Sequence, residues 1–338
     1  MIVEHRKTAG EASYTRQDRD EAPLEGRRPC NDTRCPADHS AIVTSRVSTL
    51  TPRTVAVDPE FSLAQTCGPA AWVGHRSPRE AWIGATFVHV AWEDDEPRWR
   101  AVKQPGPGLL EIVGSGDPAW DATWLENVLG LQTRLPSFAD PVIARLAERF
   151  PGVRPLNDGS LFEGAITSIV GQSISVAAAA VTQAKLARLF VEPLIVAGRE
   201  FRPLPSVRQL ATANPALIRK SGVTMKRAEA LVHLANAALE GRLPSAAEAR
   251  HDPDAAIKRL IALPGIGRWT AESTLLWGIG AANAHPTGDI ALLRAAQVAY
   301  DRPEMTLRDL DALAEGWQPA RSLAARLLWT DRFGPAPG

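Results

Sequence analysis

The pattern of hydrophobic and polar positions divides the 338 residues into three parts. Residues 1–50 are polar and mixed in charge, and few large apolar side chains precede Ile42. A segment of this kind buries too little apolar surface to offset the entropy that is lost on ordering. We therefore expect residues 1–50 to be a disordered tail, or the product of a start of translation placed too far upstream.

Residues 51–118 have the pattern of an antiparallel sheet. Short runs rich in β-branched and aromatic residues occur at 54–57, 82–92, 98–102 and 109–113. Acidic, Pro and Gly residues at 94–97 and 104–108 separate some of these runs, as turns do. We expect an N-terminal domain of hairpins over residues 51–118, with a helix at 61–67 packed on the sheet.

From residue 119 onwards the apolar positions recur at helical spacing. The predicted helices are 138–150, 161–170, 177–190, 211–220, 226–240, 253–262, 269–278, 289–300, 306–315 and 321–329. This pattern predicts an all-α region over residues 119–338, made of two helical subdomains with a cleft between them. The fold class expected for the whole chain is α+β.

Composition limits the compartment and the kind of partner. A hydrophobic content of 45% and a mean hydropathy of −0.14 are typical of a globular protein. The sequence contains no signal peptide and no apolar run of membrane-spanning length, so we expect a cytoplasmic protein without a membrane contact. The formal net charge is +0. Nucleic-acid binders usually carry a basic field, so contact with nucleic acid must rest here on a local patch and on backbone amides.

The cysteines are few and odd in number: Cys30, Cys35 and Cys67. This set fits a reducing compartment rather than a disulfide framework, and it is too small for a four-cysteine iron–sulfur cluster. Cys30, Cys35 and His39 have the spacing of half a metal site. No second ligand pair follows at zinc spacing, so we interpret these cysteines as free thiols in the tail.

A Gly-rich turn between two predicted helices is the strongest chemical signal, with the sequence LPGIGRWT over residues 263–270. The amides near Gly265 and Gly267, at the start of the following helix, are suited to hold one or two phosphates without reading bases. Arg268 adds a salt-dependent attraction. The alternative is a tight corner between two helices with no ligand. The basic residues Arg219, Lys220, Lys226 and Arg227 are either a second backbone contact or a solvated face.

The turn at residues 263–270, followed by Asp289, resembles the signature of the helix–hairpin–helix DNA glycosylase superfamily. Phe162-Glu163 and the segment IVGQSIS at 169–175 resemble another recurrent segment of that family. The segment WQPARS at 317–322, followed by LW at 328–329, resembles the C-terminal segment of its bacterial 3-methyladenine DNA glycosylase II branch. The similarity covers roughly residues 54–331, with weaker motifs in the sheet region.

The resemblance implies that Asp289 is the catalytic acid. Cleavage of an N-glycosidic bond builds positive charge on the deoxyribose, and a carboxylate stabilises this charge while it orients or deprotonates water. The expected position at a helix N-terminus favours the ionised carboxylate. The alternative for an isolated Asp at this position is a plain N-cap, and one residue can serve both purposes. We interpret Glu272, a second acid near the turn, as helix surface or as part of a structural pair.

The family members that also cleave the strand place a lysine two residues after the second hairpin glycine, and this chain has Trp269 there. The resemblance therefore implies a monofunctional glycosylase that leaves an abasic site. Its expected role is base-excision repair, in which alkylated bases such as 3-methyladenine and 7-methylguanine are flipped out of duplex DNA and hydrolysed off.

Two aromatic residues match pocket positions of the family, Trp269 and Trp329, and each alternatively packs in an ordinary core. Aromatic faces attract electron-poor alkylated purines by stacking and cation–π interaction. Ser273 falls where the pocket tyrosine is expected, and Ser173 falls where a leucine wedge fills the gap left by the flipped nucleotide. Gln172 or Ile174 then takes the role of the wedge. These departures leave the substrate range open.

The resemblance implies contacts with damaged double-stranded DNA from two segments. These are Gly265, Ile266, Gly267, Arg268 and Thr270 of the hairpin, and Gln172, Ser173 and Ile174 of the wedge segment. It also implies a structural Na⁺ or K⁺ ion on the backbone carbonyls of Ile261, Leu263 and Ile266, no other cofactor, and a monomer. The alternatives are a glycosylase for ethenoadenine, hypoxanthine, oxidised or mismatched bases, a non-catalytic DNA-binding protein and a protein-interaction module.

Overall fold

Five antiparallel strands form a sheet at the front of the protein, in agreement with the pattern of short apolar runs. The computed structural model describes residues 51–337, so the tail predicted for residues 1–50, with its two cysteines, lies outside the described residues. The strands are β1 (Arg53–Ala56), β2 (Glu80–Ile83), β3 (Thr86–Glu93), β4 (Glu96–Gly106) and β5 (Leu109–Gly114). Their order across the sheet is β1–β5–β4–β3–β2, so three hairpins join consecutive strands and β1 pairs with β5.

The run at 82–92, predicted as one strand, is divided between β2 and β3. Gly84 and Ala85 have φ values of 49° and 58°, and they reverse the chain so that Trp82 pairs with Phe87. A two-residue turn with both φ values positive matches the twist of the strands that it joins. The apolar run therefore hides a turn that its composition does not reveal.

The region from residue 119 onwards is predicted to be all-α, but it contains a two-stranded hairpin. This hairpin consists of β6 (Leu194–Val196) and β7 (Arg199–Phe201). Ala197 and Gly198, both with positive φ, form its turn. Val196 and Phe201 are buried in one cluster with Trp99 of the front sheet. Packing against the sheet thus stabilises a hairpin whose strands are too short to be recognised from periodicity.

Fifteen α-helices complete the fold of the described residues, and the α+β class is confirmed. They are α1 (Leu63–Thr66), α2 (Gly68–Val73), α3 (Asp121–Leu129), α4 (Pro141–Arg149), α5 (Leu161–Gly171), α6 (Val176–Arg188), α7 (Val207–Ala211), α8 (Pro215–Ile218), α9 (Met225–Leu239), α10 (Ala246–His251), α11 (Pro253–Ile261), α12 (Arg268–Ile279), α13 (Ile290–Ala299), α14 (Leu307–Ala314) and α15 (Arg321–Phe333). Of the helix predicted at 211–220 only the short α8 is formed, because Asn214 caps a helix that starts at Pro215, and α7 ends at Ala211.

Two separate hydrophobic clusters account for most of the buried core. The larger one is helical and combines residues of α4, α5, α9 and α11 to α15. The smaller one lies between the sheet and α1 and α3, and Phe87, Val102 and Ile112 of the sheet are fully buried in it. Within residues 51–337, no single helix has the length and apolar character of a membrane span, although α5 and α6 together, bent by 117°, meet those criteria.

Helices α5 and α12 touch at two glycines, Gly164 and Gly278. A Cβ atom added to Gly164 would overlap the Cα of Gly278, and one added to Gly278 would lie 2.8 Å from the carbonyl oxygen of Ser160. The backbones approach closely because neither position has a side chain. The contact joins the start of α5 to the end of α12, so the two helices run antiparallel. The end of α5, which leads into residues 172–175, therefore lies beside the start of α12, which forms the hairpin.

A buried ion pair ties the sheet to the helical region. Arg79, just before β2, contacts Asp158, just before α5, and both side chains are buried. The amide of Asp158 in turn donates a 2.7 Å hydrogen bond to the carbonyl of Trp277 in α12. The sheet is therefore joined to the same helix that carries the hairpin.

Candidate nucleic-acid interface and acid site

The Gly-rich turn joins α11 to α12, as the sequence predicts, and its two glycines serve different purposes. Gly265 has a φ of +83°, and a Cβ atom added there would overlap the side chain of Ala230 in α9. Gly267 has an ordinary φ of −93° and occupies the N-cap position of α12. A Cβ atom added at Gly267 would have no described atom within 4 Å. The first glycine is therefore required by the fold, whereas the second leaves open space beside the amides of the α12 N-terminus.

The other hairpin residues divide into inward and outward side chains. Leu263 and Ile266 are buried, and the Ile266 amide donates a 3.2 Å hydrogen bond to the Leu263 carbonyl. The Thr270 side chain is also buried, whereas the Arg268 side chain is 71% exposed. Of the predicted hairpin contacts with DNA, Arg268 thus offers a side chain, Gly267 offers backbone, and Thr270 lies inside the protein.

A polar groove of about 420 Å³ runs beside the hairpin. Its lining consists of Gln172, Thr224, Lys226, Arg227, Ala230, Gly265, Ile266 and Gly267. Thr224 is the N-cap of α9, so the N-termini of α9 and α12 both meet this groove. Aligned amides at a helix N-terminus attract anions, and Lys226 and Arg227 add positive charge. A chain of zero net charge needs a local basic patch to attract nucleic acid, and Lys226 and Arg227 provide such a patch at this groove.

Gln172 connects the wedge segment to both walls of the groove. Its side-chain amide donates to the Gly265 carbonyl at 3.1 Å and to the Thr270 hydroxyl at 3.0 Å. Arg227 donates to the side-chain oxygen of Gln172 at 3.3 Å and also to its backbone carbonyl. The Gln172 side chain is therefore engaged within the protein.

The next residues of this segment project from the surface. Ser173 has a φ of +56° and is exposed. Ile174 is 40% exposed. Because Gln172 is held by hydrogen bonds and Ile174 is exposed, Ile174 is the better placed of the two predicted wedge residues.

Asp289 lies within hydrogen-bonding distance of the hairpin helix. It is the N-cap of α13, and its Oδ1 atom accepts a 2.7 Å hydrogen bond from the Leu292 amide. Its Oδ2 atom accepts a 3.0 Å hydrogen bond from the indole Nε1 of Trp269. Both residues are partly buried. The two sequence-predicted residues at the centre of the hypothesis thus meet directly, and the acid is also the N-cap that the alternative interpretation expects.

Glu272 is buried and belongs to a structural pair, as one of its two interpretations expects. The residue is 3% exposed. Its Oε1 atom accepts a 2.8 Å hydrogen bond from Arg268, and its Oε2 atom accepts a 2.8 Å hydrogen bond from the amide of Thr287. Glu272 therefore links the first turns of α12 to the loop that precedes Asp289.

The two remaining pocket candidates lie deeper in the protein. Ser273 is 1% exposed, and its hydroxyl has no hydrogen-bond partner among the described residues. Trp329 is 5% exposed and stacks on Trp277 with ring centroids 5.2 Å apart. These two indoles line a space of about 10 Å³, enough for about one water molecule. Neither Trp269 nor Asp289 is among the residues that line this space.

The predicted cation ligands are backbone carbonyl oxygens, which can bind a monovalent ion. Helix α11 ends at Ile261, and carbonyls at a helix C-terminus lack intrahelical donors and carry partial negative charge. The Leu263 carbonyl already accepts a hydrogen bond from Ile266, which still leaves it one lone pair. No cluster of His, Cys, Asp or Glu side chains suited to a metal occurs in the described part of the chain. The Na⁺ or K⁺ site stays a prediction.

The sequence did not predict the contacts of two residues in this region, Trp277 and Arg227. Trp277 follows Trp269 and Ser273 at intervals of four residues, so helical spacing alone places all three on one face of α12. Arg227 was noted only as part of a basic stretch. Its contact with Gln172 joins residues 55 positions apart, and no local pattern reveals such a contact.

Comparisons with known proteins identify similar proteins, although no family model matches the chain. It is 37% identical over 194 residues to DNA-3-methyladenine glycosylase 2 of Escherichia coli, a match that covers 57% of this chain and 66% of the relative. It is 24% identical over 192 residues to DNA-3-methyladenine glycosylase of Bacillus subtilis, covering 56% of this chain and 63% of the relative. The chain thus spans slightly less than two thirds of the length of each relative.

A solved structure extends the similarity to most of the chain. The 3-methyladenine DNA glycosylase of Archaeoglobus fulgidus superposes with a TM-score of 0.65 at 22% sequence identity. The superposition covers 84% of this chain and 100% of that protein. The sheet and the helices therefore form one shared architecture, and the similarity is not limited to the hairpin.

Proposed function

We propose that this chain, which belongs to the helix–hairpin–helix DNA glycosylase superfamily and groups with its bacterial 3-methyladenine DNA glycosylase II branch, hydrolyses the N-glycosidic bond of alkylated bases in double-stranded DNA. The observation that carries the proposal is the 3.0 Å hydrogen bond between Trp269 Nε1 and Asp289 Oδ2, formed beside the phosphate-binding hairpin. It joins an aromatic face and a carboxylate at the point where a flipped nucleotide arrives. The same hydrolysis is the first step of base-excision repair.

Asp289 performs the chemistry in this proposal. As the bond between C1′ and the base nitrogen breaks, the electron pair leaves with the base and positive charge develops on the sugar. The Asp289 carboxylate stabilises that charge and then accepts a proton from the attacking water, so that a hydroxyl group is added at C1′. The hydrogen bonds from Trp269 and Leu292 hold one oxygen each, which fixes the direction of the carboxylate.

The hairpin and the groove bind the DNA backbone. The amides at the start of α12 and the exposed Arg268 side chain contact phosphate, and Lys226 and Arg227 extend the positive surface. Ile174 enters the duplex and fills the gap left by the flipped nucleotide. A Na⁺ or K⁺ ion, if held by the carbonyls of Ile261, Leu263 and Ile266, supplies further positive charge for the same phosphate.

Trp269 determines the type of reaction and favours positively charged substrates. It stands where a lysine would form a Schiff base, so simple hydrolysis leaves an abasic site and an intact strand. Its indole attracts electron-poor rings such as those of 3-methyladenine and 7-methylguanine.

The protein acts as a monomer, in the cytoplasm and at the nucleoid, where its DNA substrate lies.

A base-release assay on a panel of duplexes tests the proposal. The panel contains 3-methyladenine, 7-methylguanine, ethenoadenine, hypoxanthine and an oxidised purine, each compared with undamaged DNA. We expect release of alkylated bases by the wild type and a loss of ~100-fold or more in Asp289→Asn, which removes the charge but can still cap α13. Binding of an abasic-analogue duplex should persist in that variant.

The outcomes separate the alternatives. Base release from oxidised or mismatched sites only would favour another branch of the superfamily, and a borohydride-trapped covalent adduct would contradict simple hydrolysis. Binding of the abasic-analogue duplex without release of any base would favour a non-catalytic DNA-binding protein. Normal turnover by Asp289→Asn would refute the assignment of the acid.

A further inference from the structure

We propose that Glu272 is a positioning residue that couples the hairpin to the catalytic acid, an inference that rests on the proposed function. Glu272 acts through the loop before Asp289 and does not touch the substrate. It has two partners, and each belongs to a segment with its own task in the reaction.

The first contact joins Glu272 to the DNA-binding hairpin. Arg268 Nε lies 2.8 Å from Glu272 Oε1, one helical turn away on α12. The Arg268 side chain is 71% exposed and the Glu272 side chain only 4%. The exposed guanidinium is therefore anchored at its base by a buried carboxylate while it faces solvent, where phosphate arrives.

The second contact joins Glu272 to the loop that carries Asp289. The amide of Thr287 donates a 2.8 Å hydrogen bond to Glu272 Oε2. Two residues later, the Asp289 amide donates a 3.1 Å hydrogen bond to the Pro286 carbonyl and closes a tight turn. Gly288, between them, has a φ of +80°, so the turn relies on a backbone conformation that other residues rarely adopt.

Together these contacts hold the acid from two sides. Trp269 holds the carboxylate of Asp289, and Glu272 holds the backbone two residues before it, so two neighbouring residues of one helix orient one loop. Without Glu272, the Thr287 amide loses its buried acceptor and the turn is free to shift. A displacement of about 1 Å at a reacting group can cost about 100-fold in rate, so a small shift suffices to affect catalysis.

The test compares Glu272→Ala with Glu272→Gln, in which the amide oxygen still accepts from Thr287. We expect single-turnover release of 7-methylguanine to fall about tenfold in Glu272→Ala, with affinity for an abasic-analogue duplex within about twofold of the wild type. Glu272→Gln should recover most of the rate. Because the Asp289 loop acts in the chemical step, the loss should appear in kcat and not in KM.

Glu248→Ala is the matched control. Glu248 also accepts a hydrogen bond from a backbone amide, that of Ser245, and contacts an arginine, Arg259, but it lies in α10. We expect its base-release rate to equal that of the wild type. All rates are compared at a temperature below the melting temperature of each variant, and the folded fraction of each variant is measured at that temperature.

The outcomes distinguish failure of the proposed function from failure of the positioning role of Glu272. A wild type that releases no base from any lesion refutes the proposed function and this inference with it. An active wild type with an equally active Glu272→Ala variant refutes the positioning role alone. A Glu272→Ala variant that loses rate only in proportion to its unfolded fraction also refutes it, as does a Glu272→Gln variant as slow as Glu272→Ala.

Discussion

The indole Nε1 of Trp269 donates a hydrogen bond of 3.0 Å to the Oδ2 atom of Asp289. The two residues are 20 positions apart in the sequence. Trp269 lies at the start of α12, and Asp289 lies just before α13. The bond therefore depends on how the loop between these helices folds back. It also makes the tryptophan part of the orientation of the acid, in addition to its proposed contact with the base.

Trp269→Phe tests this dual role, because phenylalanine keeps an aromatic face and loses the donor. A hydrogen bond to a charged group contributes about 1.5–3 kcal/mol, so we expect base release to fall by about tenfold or more. Single-turnover kinetics on 7-methylguanine duplexes measure the effect. Trp92→Phe is the control, since it removes the indole hydrogen bond that Trp92 of β3 donates to the Leu204 carbonyl. Equal rates for both variants would contradict the orienting role.

Gly267→Ala separates DNA binding from folding. The added methyl group meets no described atom within 4 Å, and the φ of −93° suits alanine, so the melting temperature should not change. The methyl group would occupy space beside the α12 amides, and affinity for duplex DNA should fall about tenfold, as after loss of a charge-assisted hydrogen bond. Fluorescence anisotropy measures this affinity. Gly265→Ala should instead destabilise the fold, because its methyl group overlaps Ala230 at a positive φ.

Gly164→Ala should destabilise the protein through the contact between α5 and α12. Its methyl group would overlap the Cα of Gly278, and backbone on both sides leaves little room for relief. Overpacking of this kind costs about 1–3 kcal/mol in the free energy of unfolding, which urea denaturation measures. Gly316→Ala is the control, since it is exposed and its Cβ atom would have no described neighbour within 4 Å. A similar stability for the two variants would show that the helices can move apart.

Glu163 gives the stability a pH dependence. Burial, opposed by Arg79 and reinforced by Asp158, raises the pKa of its carboxyl from 4.5 to about 7. The folded state thus holds this proton more tightly than the unfolded state, so the contribution of Glu163 to stability falls as the pH rises from about 4.5 to about 7 and is level above that. Glu163→Gln should remove this contribution, so the stability of the variant relative to the wild type should increase from pH 5 to pH 8 by an amount on the order of 2 kcal/mol.

Urea unfolding at pH 5 and at pH 8 checks this prediction. Glu248→Gln serves as the control, because hydrogen bonds from Ser245 lower the pKa of that exposed carboxyl. Its contribution changes only below the ordinary range of a carboxylate, and the slope between pH 5 and pH 8 should stay that of the wild type. An equal difference in stability between Glu163→Gln and the wild type at pH 5 and at pH 8 would contradict the assignment to Glu163.

The sequence by itself determined the elements whose signals are local. The α+β class, the hairpin at residues 263–270 and the N-cap position of Asp289 follow from periodicity, glycine spacing and capping, because each depends on residues within a few positions of one another. The resemblance to the superfamily rests on motifs of the same local kind. The division of the run at 82–92 escaped this reasoning because the two-residue turn Gly84-Ala85 interrupts an apolar run that looks continuous. The hairpin β6–β7 escaped it because each of its strands has only three residues.

Only the tertiary structure decided which of these residues meet. Trp269 reaches Asp289, Glu272 reaches the loop before it, and Gln172 is bound by Arg227 and the hairpin, whereas Trp329 stacks on Trp277 in a separate space. These contacts depend on the crossing of α5 and α12 at Gly164 and Gly278 and on loops that return over tens of residues. Packing between distant segments sets such distances, and the order of residues in the chain does not encode them locally.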